Sequence, residues 1–582
     1  MRVLGAVLLT VGLMAAPLLA NNDKTGKEDM TAAVTSAAAD KPKDAVKPES
    51  SLIESEVQDL RSLVEEQRVE LEAQRAALKA AETKMEALEE KMSPTPSQPA
   101  VPPVTASPAI SSGTLMSTVA VTPGTASATA TAAMPQKDMD EKPSPLYFKI
   151  GGAEFYPLGF MDLTSITRTT QLGTIGTSFG SVAYNNTVAG RLSEERFSAQ
   201  NSRIGLRTHA KFGEADVTGY LEADFLGYQP PNANDTSNSN TLRMRLYWVD
   251  YRRGKFEVLG GQSWSFLTPN RNGLSAMPGD LFYSQDVDTN YQLGLTWARQ
   301  AGIRFIVHPN NNVSMGVAFE NPEQTLPSSV VVPAAGVAGY ASQFDSNSGN
   351  TSSATGVNNP NTPNLHPDII PKIAFDAKPG GHQVHFDVAG LFRTFKAVNV
   401  IATATPITAG GTVTTTIHGG GVAGTMNVEL VKNFRAIATG FYSYGGGRYI
   451  ASTAGPDVIV RPNGTLSGIR SGSGIGGFEY QPNPKMVIYG YYSGAYFGRN
   501  FDKTGATYTG YGFPGSSNSA NRYLYEPTFG VHYTMWRNPS YGDLRLMTQY
   551  SYVSRTPWNI GVAGPATAHT SMVYIDLRYD LP

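Results

Sequence analysis

Residues 202–212 read SRIGLRTHAKF, and their alternation decides the fold. Ile204, Leu206, Ala210 and Phe212 fall on one face, and Arg203, Arg207, His209 and Lys211 on the other. A period of two is that of a β-strand, whose successive side chains point to opposite faces. The pattern repeats outward along the chain. Leu221, Ala223 and Phe225 oppose Glu222 and Asp224, and Leu242, Met244, Leu246 and Trp248 oppose Arg243 and Arg245. Further on, Val384, Phe386, Val388 and Phe392 oppose His385, Asp387 and Arg393, and Val573, Ile575, Leu577 and Tyr579 oppose Asp576 and Arg578. A soluble sandwich would have to bury these charges in its core, at high cost. A membrane barrel instead turns its apolar face to lipid and its charges to a wet lumen. A misplaced Arg or Lys at mid-membrane costs about 2–4 kcal/mol.

The punctuation fits the same reading. Tight turns stand at Gly213-Glu214, Arg253-Gly254, Pro309-Asn310-Asn311, Pro379-Gly380-Gly381, Lys432-Asn433, Pro482-Asn483-Pro484 and Asn538-Pro539. They separate eight hairpins, each with a long polar loop, among them 229–240, 265–290, 321–367, 397–418 and 501–520. The expectation is an all-β transmembrane barrel of about 16 antiparallel strands over 146–582, with short turns on one side and long loops on the other. A barrel of this size leaves room for water.

Composition agrees. The 582 residues contain 59 Gly and 28 Tyr, only 16% are charged, and the formal net charge is −2. Near-neutrality argues against nucleic acid as a partner. The absence of cysteine excludes disulfides, thiolate metal sites and a cysteine nucleophile. No H-E-x-x-H or G-x-S-x-G motif is present, so neither an enzyme nor a cofactor is expected. The Gly-rich run at 472–477 lacks a βαβ context and reads as strand or turn.

The first 145 residues are organised differently. Residues 1–20 carry Arg2, an apolar stretch and Ala20 before polar residues, the plan of a signal peptide. Residues 21–50 read as a disordered spacer. Over 51–92, Val57, Val64, Leu71, Leu78, Met85 and Met92 mark one heptad position, and Ile53, Leu60, Ala81 and Leu88 the other, interrupted by Gln67 and Gln74. That is the pattern of an N-terminal α-helical coiled coil, which needs partner strands to bury its seam. Residues 93–145 form a Pro/Ala/Ser/Thr linker.

This order of parts, with the barrel segments SRIGLR, GYLEADFLG, LRMRLYWVDY and GGQSWSFL, resembles the DcaP-like outer-membrane porins. The resemblance implies a homotrimer in the outer membrane with its coiled coil in the periplasm. It also implies passive uptake of small hydrophilic solutes, often anionic or dicarboxylate-like. Two groups of residues are then candidates for selectivity. The first is the lumenal face: Arg203, Arg207, Arg243 and Arg245, with Glu222 and Asp224 between them, and Arg304, Glu320 and Arg393 farther round. Whether the first arginines form an open anion ladder or a satisfied ion-pair network is left open by parity alone. The second is the loop after the fifth strand, which in trimeric porins folds inward. It carries Arg271, Asp280, Asp286 and Asp288. Aromatic residues such as Trp248, Trp297, Tyr533 and Trp536 are candidates for interfacial girdles. The competing function is an envelope tether, with the barrel as anchor.

Overall fold

The computed structural model describes residues 146–582, apart from loop stretches 228–239, 277–281, 286–290, 334–339, 345–364, 403–408 and 560–567 and the single positions 174, 177, 328 and 454. The signal peptide, spacer, coiled coil and linker lie outside the described residues.

Sixteen antiparallel strands close on themselves. They are β1 (Ala153–Arg168), β2 (Glu194–Ser198, resuming as Arg203–Phe212), β3 (Ala215–Asp224), β4 (Arg243–Arg253), β5 (Phe256–Trp264), β6 (Arg299–Asn310), β7 (Val313–Glu320) and β8 (Asp368–Ala377). The second half comprises β9 (Val384–Ala402), β10 (Ala409–Val431), β11 (Phe434–Tyr444), β12 (Arg470–Asn483), β13 (Met486–Phe497), β14 (Asn521–Asn538), β15 (Gly542–Pro557) and β16 (Ala568–Asp580). Closure is made by β1, which pairs with β16 from Phe160↔Asp580 to Arg168↔Met572 and with β2 on its other edge. Closure leaves no free strand edge. All seven tight turns expected from the sequence fall between strands at one end.

The barrel is inside-out, as the alternation requires. Met161, Leu163, Phe197, Ile204, Val249, Phe305, Phe386, Phe392 and Leu577 are exposed on the outer wall. Arg203, Arg245, Arg304, Lys372, Arg393 and Arg578 are buried on the inner one. No described helix is long and apolar enough to span a bilayer.

Two expectations are corrected. The first concerns β4. Its first two residues pair in register with β3, Arg243 with Asp224 and Met244 with Ala223, but Glu222 then lies opposite Leu246. Arg245 is therefore the extra residue of a β-bulge. Beyond it the faces exchange: Tyr247, Val249 and Tyr251 point outward, while Leu246 and Trp248 are buried inside. Trp248 stacks on lumenal Tyr220 with ring centroids 5.3 Å apart, so it is no girdle residue. Trp297 also lies inside, edge-on to Tyr291 at 4.7 Å, whereas Trp536 is exposed on the outer face. The bulge is testable because the chain has no native cysteine. Val249→Cys will react with a membrane-phase thiol reagent and Asp250→Cys with a water-soluble one. Simple alternation demands the opposite result.

The second correction concerns 397–418. Its described residues, 397–402 and 409–418, are strand and not loop: β9 and β10 continue pairing through Val398↔Thr414 to Val400↔Thr412. The Thr/Val-rich stretch favours extended backbone. A short strand, Tyr340–Phe344, pairs with this extension at Ala397–Ile401.

Candidate functional site: a loop tied across the lumen

The connection between β5 and β6, residues 265–298, runs into the barrel. Phe266, Leu267, Leu274, Phe282, Leu293 and Leu295 are all buried along it. β5 and β13 lie half-way round a sixteen-stranded barrel from each other, and the loop reaches that far wall.

The loop is fastened first to the wall beside its root. Phe266 N–H donates to Glu320 Oε1 at 2.6 Å. Arg304 donates to Ser263 Oγ and to the Trp264 carbonyl and stacks over the Phe266 ring at 5.1 Å. On β8, Lys372 Nζ donates to the Thr268 carbonyl and to Asn270 Oδ1, each at 2.8 Å, and stands 3.4 Å from Asp387. Asn270 N–H donates to Asp387 Oδ2 at 3.2 Å, and Gly273 N–H to Asp376 Oδ2 at 3.0 Å. His385 bridges those two carboxylates at 2.8 and 3.1 Å.

The far wall is gripped in turn. Arg271 forms a two-pronged pair with Glu479 of β12 at 2.8 and 2.6 Å and lies over the Tyr283 ring. Burial alone would lower the pKa of this guanidinium, but the Glu479 carboxylate more than offsets it, so Arg271 stays charged. Tyr491 on β13 donates to Glu479 Oε1 at 2.8 Å and accepts from Tyr283 N–H at 3.2 Å. Gln285 N–H donates to Gln549 Oε1 at 2.8 Å. Gln292 Nε2 donates to Ser493, Glu526 and Thr528 at 3.0, 2.8 and 3.1 Å, and Leu293 N–H reaches the same Glu526 oxygen at 2.9 Å. At the next residue the backbone meets the barrel wall. Gly294 has φ +83°, and a Cβ there would lie 2.7 Å from the Gly494 carbonyl and 2.9 Å from that of Gly474. Only glycine fits this approach without displacing the loop.

The first arginine group is an ion-paired network. Arg245 donates to Glu222 at 2.6 Å and to Asp224 at 2.7 Å, and Arg243 holds Asp224 with two bonds at 3.0 and 2.6 Å. Arg203 lies 3.8 Å from Glu222, and Tyr220 donates to Glu222 at 3.0 Å. Arg245 keeps the inward face that alternation gives it and, as the bulged residue, has no register partner of its own on β3. Arg207 stacks on the Tyr156 ring at 4.6 Å. Arg393 points inward but is covered: it pairs with Asp368 at 3.0 Å and Asp457 at 3.1 Å and packs on Phe395 and Tyr449. Arg304 and Glu320 are likewise engaged in anchoring the loop. Of the loop acids, Asp280, Asp286 and Asp288 lie outside the described residues.

Two further loops fold inward without having been expected to. In 169–193, Phe179, Val182 and Tyr184 are buried, and Arg555 donates to the Val182 carbonyl at 2.6 Å. In 445–469, Tyr449, Ile450 and Asp457 are buried, and Trp297 N–H donates to the Tyr449 carbonyl at 2.7 Å.

No protein-family model and no curated protein matches this sequence. Solved structures do. The outer-membrane channel DcaP of Acinetobacter baumannii matches with a TM-score of 0.53 at 16% identity, over 75% of this chain and 99% of its own. The barrel has the fold of the DcaP channel. An anion-selective porin from Comamonas acidovorans matches with a TM-score of 0.39 at 11% identity, over 74% of this chain and 100% of its own. The likeness to the DcaP channel is one of fold.

The Arg271–Glu479 pair is the most exposed of the cross-lumen ties to mutational test. Glu479→Gln leaves Arg271 without its carboxylate and frees the outer arm of the loop. The expected result is a noisier channel whose conductance rises about twofold, with Arg271→Ala/Glu479→Ala no worse than either single change. Unchanged noise in planar-bilayer recordings would show that this tie does not fix the loop.

Proposed function

We propose that the barrel is an outer-membrane porin: a water-filled channel for passive diffusion of small hydrophilic solutes, narrowed by the loop 265–298. The observation that carries this reading is the cross-lumen tethering of that loop by Arg271, Gln285 and Gln292 to β12–β15. A mere membrane anchor has no need of a polar loop held at fixed height across its interior. In this reading the short turns face the periplasm, the long loops face outward, and the protein assembles as a homotrimer.

The charge arrangement supports a weak preference for anions over a strong one. Arg203, Arg243 and Arg245 share two carboxylates, which leaves a single excess positive charge on that wall. Paired charges present a small field to passing ions. That excess is local: among the described residues as a whole the buried carboxylates outnumber the buried Arg and Lys, so small dicarboxylates would be drawn to this one wall and only weakly. The test is liposome swelling with arabinose, succinate and a trisaccharide. Entry of the two small solutes with exclusion of the trisaccharide is expected. Exclusion of all three by a folded barrel would reject the diffusion channel in favour of the anchor.

A further inference from the structure

The outer face of β10–β14 departs from the rest of the apolar belt. Gly424, Gly440, Gly474 and Gly494 are direct register partners across four adjacent strands. Alternation aims all four outward, together with Gly472 and Gly476 on β12. With no side chains to fill it, the wall is recessed into a groove of about 680 Å³, floored by these β12 and β13 glycines and walled by Tyr492, Tyr496, Tyr523 and Tyr525. Tyr492, Tyr496 and Tyr523 are exposed on that face.

A separate feature closes the long-loop end of the groove. Arg470 opens β12, Arg499 follows β13, and Arg522 opens β14; all three are exposed. Arg499 and Arg522 lie over the Trp558 ring at 5.5 and 4.8 Å, and Trp558 meets the groove wall edge-on at Tyr496, 6.1 Å between centroids. None of the three arginines forms an ion pair with a described carboxylate; nearby Asp502 is taken by Arg461 at 2.7 Å. Tryptophan with arginine marks the level where the hydrocarbon meets the headgroups.

We propose that this groove holds one phosphorylated lipid of the outer leaflet, an acyl chain on the glycine floor and its phosphate on Arg470 and Arg522. The inference rests on the outer-membrane orientation proposed above. A lipid fits better than a second copy of the chain. The core of a protein interface is depleted of charge, whereas this concave slot ends in three cations without partners among the described carboxylates. Arginine also suits a phosphate better than a lysine would, since its guanidinium can offer two parallel bonds.

The experiment uses the full chain in detergent, titrated with lipid A and with the same lipid stripped of its phosphates, and read by native mass spectrometry. Two variants probe the two halves of the site. A Cβ at Gly476 meets nothing within 4 Å, so Gly476→Leu fills the groove without straining the wall. Arg470→Ser/Arg522→Ser removes the headgroup contacts. We expect one retained lipid A per barrel, and binding at least about tenfold weaker for either variant and for the phosphate-free lipid. Single-channel conductance should stay at the wild-type value. Equal binding of both lipids, or of wild type and variants, would overturn the site. So would loss of an oligomer in Gly476→Leu with lipid binding intact, which would make the groove a contact between copies. A barrel that binds lipid A but conducts nothing would leave this site standing and remove the channel.

Discussion

Excising residues 268–294 and rejoining the ends with a short Gly/Ser link should raise single-channel conductance roughly threefold or more, because a sixteen-stranded barrel is wide unless something crosses it. The loop crosses the lumen of this one and is fastened at both walls. Lys372 and Asp387 hold it beside its root, and Glu479, Gln549 and Glu526 hold it on the far side. The excision leaves the sixteen strands and their closure between β1 and β16 untouched, so heat-modifiable gel mobility should persist. It does expose Glu479, Asp387 and Glu526 to the lumen at once. The enlarged channel should therefore shift toward cations, which a reversal potential under a salt gradient will report. An unchanged conductance would place the narrowest point elsewhere, in the inward-folded 169–193 or 445–469.

The second large effect is expected at the β2–β4 wall. Glu222→Gln/Asp224→Asn removes both carboxylates and leaves Arg203, Arg243 and Arg245 facing one another. Breaking a buried ion pair from one side costs about 3–5 kcal/mol, because the surviving charge is left uncompensated. Arg245 is fully buried, so it cannot turn to water for relief. The variant should unfold at clearly lower urea concentration. The folded fraction should be more anion-selective by at least about threefold, as an unbalanced lumenal charge concentrates counter-ions. The reciprocal change, Arg245→Met, should lose similar stability without that gain in anion selectivity. If the carboxylate variant keeps wild-type selectivity, the wall does not face the ion path.

Much of this architecture is written locally in the chain. Alternation in Arg203–Phe212 and Ala568–Asp580 is uninterrupted, so the inward and outward faces of β2 and β16 follow from counting by two. The turns carry Gly, Pro and Asn, whose backbone chemistry is local. The bulge at Arg245 is different, because an inserted residue changes register without changing composition. From that point the faces of β4 exchange, and Trp248 moves from the lipid side to the lumen. The stretch 397–418 misled for the reverse reason: its Gly and Thr content resembles a loop, while its Thr/Val alternation supports strand.

The site was legible in outline only. The loop, read from the sequence as 265–290, stands out by length, and Arg271 by being its lone cation. Its partner Glu479 lies 208 residues away, a pairing set by barrel closure and not by sequence proximity. One signal was available. Glu479 on β12 already has Arg435 opposite it on β11, whereas the inward Glu526 on β14 lies opposite Ser493 on β13. A buried carboxylate without a neighbour on its own wall must find a partner from elsewhere, and in this barrel the crossing loop supplies it. The arginine wall shows the converse. Parity placed Arg203, Arg243 and Arg245 beside Glu222 and Asp224, but only the structure shows Arg245 bonding both acids at once, at 2.6 and 2.7 Å.

The most direct measurement is single-channel recording of the unmodified full chain in a planar bilayer under a salt gradient. A water-filled barrel narrowed by a tethered loop predicts uniform stepwise openings, stable in time, with a weak anion preference. A well-folded, membrane-inserted barrel that gives no conductance steps would contradict it.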